Sequence, residues 1–200
     1  MVLLSPKLLV IDNHFKLFKN PYILAIPRDT SEYLITENYC NRKIYRMNNA
    51  YTLLYLMAHG KIHYWEKMMW LVDIVLLLQK FNEEELNEVF ELATKNKIEN
   101  LFLGTISLCN VALEMPIPAA FSNKINNKQA PYVLQGLKSL SGKEISKISK
   151  WKQRVFMKPH LKFTLYQMSI FPLRDMNIVK LPFGRRILYP LLRPITYLFS

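Results

Sequence analysis

The sequence predicts a mainly helical α+β fold, a helical bundle that carries a small β remnant at its start. Three observations lead there. From Asn49 onward, apolar residues recur at helical spacing. Asn82 followed by Glu83, Glu84 and Glu85 is a helix start, a capping amide with acids set against the positive end of the helix dipole. Before residue 47 the pattern is different: short strand-like runs, broken by Asn20-Pro21.

Taken in order, residues 8–15 (Leu-Leu-Val-Ile-Asp-Asn-His-Phe) read as a short strand. Residues 43–46 form a second candidate strand, and Asp29, Glu32 and Glu37 fall in a loop-like stretch between the two. Asn48 or Asn49 caps a first helix whose apolar positions include Leu53, Leu56 and Met57. A second helix, or a continuation past a bend, covers 66–79. The helix begun at Asn82 carries Leu86, Val89, Phe90 and Ala93 at helical spacing. Another spans 98–113 and is stopped by Met115-Pro116-Ile117-Pro118. Helical segments follow at 118–126, 130–140, 144–157 and 161–170. In the tail, 173–200, Pro182, Pro190 and Pro194 leave room for short turns and extended pieces only. The chain thus divides into a partial β segment, 1–46, and a helical domain with a basic carboxyl-terminal tail, 47–200.

Half the residues are hydrophobic and only 5 are Gly, which excludes a linker-like chain and supplies a core. Cys40 and Cys109 lie in unrelated contexts without metal-ligand spacing, so a disulfide framework is not expected and a cytoplasmic, reducing compartment is. The opening residues are apolar but interrupted by Pro6 and Lys7, unlike a signal peptide. The longest apolar stretch, 70–78, contains Asp73 and falls far short of a bilayer, so no transmembrane helix is expected. A net charge of +12 calls for an anionic partner or a solvated basic face. The excess sits in the last third: between Lys138 and Arg193 the only acids are Glu144 and Asp175.

The most informative stretch is His59-Gly60-Lys61-Ile62-His63-Tyr64-Trp65-Glu66-Lys67-Met68-Met69-Trp70-Leu71-Val72-Asp73. At ~100° per residue, His59, His63, Glu66, Trp70 and Asp73 share a helical stripe about 80° wide, bordered by Lys67. Two imidazoles, two carboxylates and an aromatic plane suit a ligand-facing surface. They equally suit a polar network tying helices together. The His59/His63 pair could form half of a zinc site, but it has no third ligand and no His-Glu-x-x-His arrangement, so no metal site is assigned.

This run resembles the "HGxKHxW…LxWLxDI" signature of the uncharacterised nucleotidyltransferase family found with polysaccharide and modified-peptide gene clusters in bacteria. Ile11-Asp12-Asn13-His14-Phe15 is similar to that family's "[IV]-[DE]-L-H-W" strand. Phe171-Pro172, Arg174-Asp175, Leu181-Pro182 and Tyr189-Pro190-Leu191-Leu192-Arg193-Pro194 are similar to its closing "LP…Y…RP". The chain departs from the pattern at Met69, where a Lys or Arg is usual, at Asn13 in place of an apolar residue, and at Phe15 in place of Trp.

The resemblance implies that Asp12 is the third carboxylate of a metal-binding trio, vestigial here. The family's first two acids belong to a Gly-Ser…Asp-x-Asp element, which the sequence lacks. It further implies that His59, His63, Lys67, Trp70 and Asp73 line a nucleotide or acceptor cleft. Nucleotidyl transfer needs a pair of divalent ions held by several carboxylates at about 2.1 Å, and one aspartate cannot hold them. The expectation is a partial or degenerate nucleotidyltransferase, inactive alone. No cofactor is expected for the chain by itself; magnesium with ATP or another nucleotide enters only when a partner protein supplies the catalytic half. The alternative is a basic helical scaffold that binds a polyanion or a partner protein. Without a helix-turn-helix, RNA-recognition or zinc-finger pattern, sequence-specific nucleic-acid binding is not expected. Residues 183–199, which mix Arg185, Arg186 and Arg193 with apolar side chains, are a lesser candidate for peripheral membrane contact.

Overall fold

The computed structural model describes Phe18, residues 20–155 and residues 157–169. Within them a two-stranded antiparallel hairpin precedes eight α-helices, a mainly-α α+β arrangement. The strand expected over 8–15 and the tail over 173–200 lie outside the described residues.

Strands β1 (Leu34–Tyr39) and β2 (Arg42–Met47) pair with Leu34 opposite Met47 and Tyr39 opposite Arg42. Their connection is Cys40-Asn41, both left-handed with φ of 50° and 60°. Two such residues make the turn whose twist matches that of the strands it joins. The second candidate strand is therefore present as β2, but the stretch read as a loop is not one. A 3-10 turn, Thr30–Glu32, is capped by Asp29, and Glu37 lies in β1, ion-paired with Arg46 of β2. Asn48 fastens the hairpin to the bundle. Its backbone N–H donates to the Tyr33 carbonyl (2.7 Å) and its side-chain amide to the Glu32 carbonyl (3.1 Å). Its side-chain oxygen accepts from Tyr51 N–H and so caps α1.

The helices are α1 (Asn49–Ile62), α2 (Met68–Leu78), α3 (Glu83–Lys95), α4 (Glu99–Leu113), α5 (Ala119–Ser122), α6 (Ala130–Leu140), α7 (Lys147–Val155) and α8 (Leu161–Ser169). The acidic start at Asn82 forms a full capping box: Glu85 N–H donates to the Asn82 side chain, and Asn82 N–H donates to the Glu85 carboxylate. Asn82→Ala is expected to lower stability by about 1 kcal/mol, seen as a lower urea midpoint at unchanged slope.

The core centres on α4, where every residue from Leu101 to Cys109 is buried. Its buried hydroxyls are satisfied locally, Thr105 donating to the Leu101 carbonyl and Ser107 to that of Leu103. Cys109 sits among apolar side chains, and burial pushes its thiol up to about 12. Helix α6 crosses α4 closely because Gly104 leaves room for the Tyr132 side chain; a Cβ there would come within 2.9 Å of it. The segment 20–25 runs over the bundle. Asn20 donates to the Phe163 carbonyl and the Gln167 side chain, Lys158 Nζ donates to the Tyr22 carbonyl (2.7 Å), and Ala25 N–H donates to the Asn96 side chain. Among the described residues, no helix is long and apolar enough to cross a membrane.

Candidate functional site

Helix α1 ends in a tight reversal. Tyr64 and Trp65 adopt left-handed φ values of 58° and 61°. Trp65 N–H donates to the Gly60 carbonyl (2.9 Å) and Tyr64 N–H to that of Lys61 (3.1 Å), the pair of bonds that closes a Schellman C-cap. Trp65 then folds back over Gly60 and is buried. A side chain at position 60 would overlap its ring, so only glycine seats the tryptophan there. The Tyr64 hydroxyl fixes the other side of the turn by donating to the Lys150 carbonyl (3.0 Å).

This reversal changes how the signature residues meet. They do not lie on one continuous helix, because α1 stops at Ile62 and α2 begins at Met68 and packs back against α1. His59, His63 and Trp70 converge nonetheless. The two imidazole centroids are 4.5 Å apart, and the Trp70 ring lies 5.5 Å from His59, edge to face, and 5.6 Å from His63. Lys67 Nζ stands 5.8 Å from the Trp70 ring. The row continues inward through Tyr55, 5.7 Å from His59, to Phe18, 5.3 Å from Tyr55. Burial raises the Tyr55 phenol above its ordinary range.

Glu66 and Asp73 stand apart. Glu66 is exposed and pairs with Lys150 at 3.5 Å, and Asp73 is exposed on α2. Asp12 lies outside the described residues. The patch thus combines an aromatic plane, two imidazoles and an exposed lysine: a surface that can stack a planar group and attract a phosphate beside it. Among the described residues, no three His, Cys, Asp or Glu side chains come together as a metal site would require.

The sequence model of the uncharacterised nucleotidyltransferase family matches residues 3–114, more than half of the chain. The chain belongs to that family. The match takes in the hairpin, α1 to α4 and therefore the whole aromatic patch. Comparison with curated proteins finds no match, nor does comparison with solved structures.

Sequence reasoning passes over one residue of this nucleotidyltransferase-family chain that the fold makes conspicuous. Lys61 is only 6% exposed. It lies on α1 two residues from His59 and faces the opposite way, toward α6 and α7. Its Nζ donates to the Gln135 (2.8 Å) and Gln153 (3.2 Å) side-chain oxygens and stands 4.1 Å from the Tyr132 ring centroid. All three partners are neutral, and burial pulls the ammonium down from 10.5 to about 8. The signal was available: Leu54, Met57, Ala58 and Lys61 recur at helical spacing, placing a lysine on the core stripe.

Proposed function

We propose that this chain forms the substrate-side half of a nucleotidyltransferase and does not transfer a nucleotidyl group by itself. The observation that carries the reading is the convergence of His59, His63 and Trp70, with Lys67 beside them, inside the segment that matches the family. Trp70 stacks a nucleobase or a planar acceptor, and Lys67 attracts its phosphates.

The reaction joins an acceptor oxygen to the α-phosphorus while the bond to pyrophosphate breaks and the acceptor's proton leaves. That step needs clustered carboxylates for its divalent ions. The described residues do not fit such a pair of ions, and the sequence contains no Gly-Ser…Asp-x-Asp element. The catalytic carboxylates are therefore supplied from outside these residues, by a partner chain or by further sequence. Met69, Val72 and Leu76 support this, since they leave an apolar strip exposed beside Trp70 where a second protein surface can pack. Met69 also stands where the family pattern carries a basic residue.

With ATP and magnesium, calorimetry on this chain is expected to show weak binding or none, and no release of pyrophosphate. Sustained pyrophosphate release by the chain alone would overturn the reading. Once a chain carrying the missing acids is added, Trp70→Ala should weaken nucleotide binding about tenfold, within the roughly 1–3 kcal/mol that base stacking contributes.

A further inference from the structure

Apart from the aromatic patch, a cleft of about 690 Å³ opens between α6 and α7. That volume falls in the range of small-molecule sites. Lys61 lies at its floor, and Lys138 and Lys152 stand at its exposed rim. Among the described lining residues Glu144 is the one acid against Lys61, Lys138 and Lys152, an excess of two positive charges.

Two unmet demands meet at the floor. The buried Lys61 ammonium has hydrogen-bond acceptors, but no carboxylate pairs with it among the described residues. The Gln135 side chain offers its oxygen to Lys61, while its Nε2 is buried with no acceptor among the described residues. A buried cation without a counter-ion and a buried donor without an acceptor are each costly. One oxyanion would satisfy both. A phosphoryl group carries about −1.5 to −2 at neutral pH, which matches the excess of the lining. The cleft is much larger than inorganic phosphate, and Leu134, Ile145 and Met157 give it an apolar wall for an organic body.

We infer that the cleft between α6 and α7 binds a small phosphate monoester, its phosphoryl oxygens accepting from Lys61 and Gln135 and facing Lys138 and Lys152 at the rim. This does not rest on the nucleotidyltransferase reading, because His59 and Lys61 look to opposite sides of α1.

Ribose 5-phosphate is a suitable probe, since it has no base to stack on Trp70. In calorimetry at constant ionic strength it should bind, with ribose and inorganic phosphate each at least about tenfold weaker. Lys61→Met should weaken ribose 5-phosphate about tenfold or more, and Lys152→Glu, at the exposed rim, several-fold. Trp70→Ala should leave binding unchanged. In NMR the Gln135 side-chain amide should shift on saturation. Equal affinity for ribose, an unmoved Gln135 amide, or Lys61→Met and Lys152→Glu variants that bind like the unmodified chain would each overturn the inference.

Discussion

Gly60→Ala is expected to be the most damaging glycine-to-alanine change among the described residues. Helix propensity alone favours alanine over glycine by up to about 1 kcal/mol. Here that preference is overridden, because the added Cβ would overlap the buried Trp65 ring. Trp65 cannot step aside while its N–H is bonded to the Gly60 carbonyl and its backbone is held left-handed. The expected loss is about 3 kcal/mol or more, at or above the upper end of ordinary overpacking, because the turn must open. Urea denaturation of Gly60→Ala, Trp65→Ala and the double variant checks the cause. Trp65→Ala alone should cost on the order of 3–5 kcal/mol. In that background Gly60→Ala should cost nothing or be slightly stabilising, since the clash is gone. Additive losses would show that the glycine serves something other than seating the indole.

The second large effect concerns pH. Lys61 titrates at about 8 in the folded protein against 10.5 when freely hydrated. Above 10.5 both states are neutral at this group. Between about 8 and 10.5 the unfolded chain holds the extra proton, so stability rises with pH across this window. Below about 8 both states are protonated and the folded protein bears the whole cost of a buried charge, on the order of 3 kcal/mol. Lys61→Met removes the titration. Its stability relative to the unmodified chain should fall by about 3 kcal/mol on going from pH 7.5 to pH 10.5. At neutral pH the variant should be at least as stable as the parent, the relief of the charge being set against the two glutamine oxygens left unpaired. Chemical denaturation at the two pH values is the measurement. Parallel pH profiles for the two proteins would mean that Lys61 is hydrated.

How much of this could be read in advance depended on where the information lies along the chain. Helix starts were legible because a cap is local: Asn82 with its three glutamates fixes α3, and Pro131 near its start suits the expected span of α6. Strand β1 was not legible. Its residues are mostly exposed, so no apolar alternation marks them, and its turn uses Cys-Asn where Asn-Gly is the usual signal. The sequence placed His59, His63, Glu66, Trp70 and Asp73 on one helical stripe, but not the contact of the first two with Trp70. A continuous helix at ~1.5 Å per residue would leave His59 and Trp70 roughly 16 Å apart on one stripe; the reversal through left-handed Tyr64 and Trp65 is what brings their rings to 5.5 Å. The floor of the α6–α7 cleft could not be foreseen, because Gln135 and Gln153 lie 74 and 92 residues from Lys61.

The Schellman turn has a consequence for how the molecule comes together. His59, His63, Lys67 and Trp70 are delivered by one short helix–reversal–helix, so little loop entropy opposes their assembly. The lysine on the far side of the same helix must wait for two distant segments to arrive. A chain still condensing would thus bring these four side chains together before the α6–α7 cleft existed.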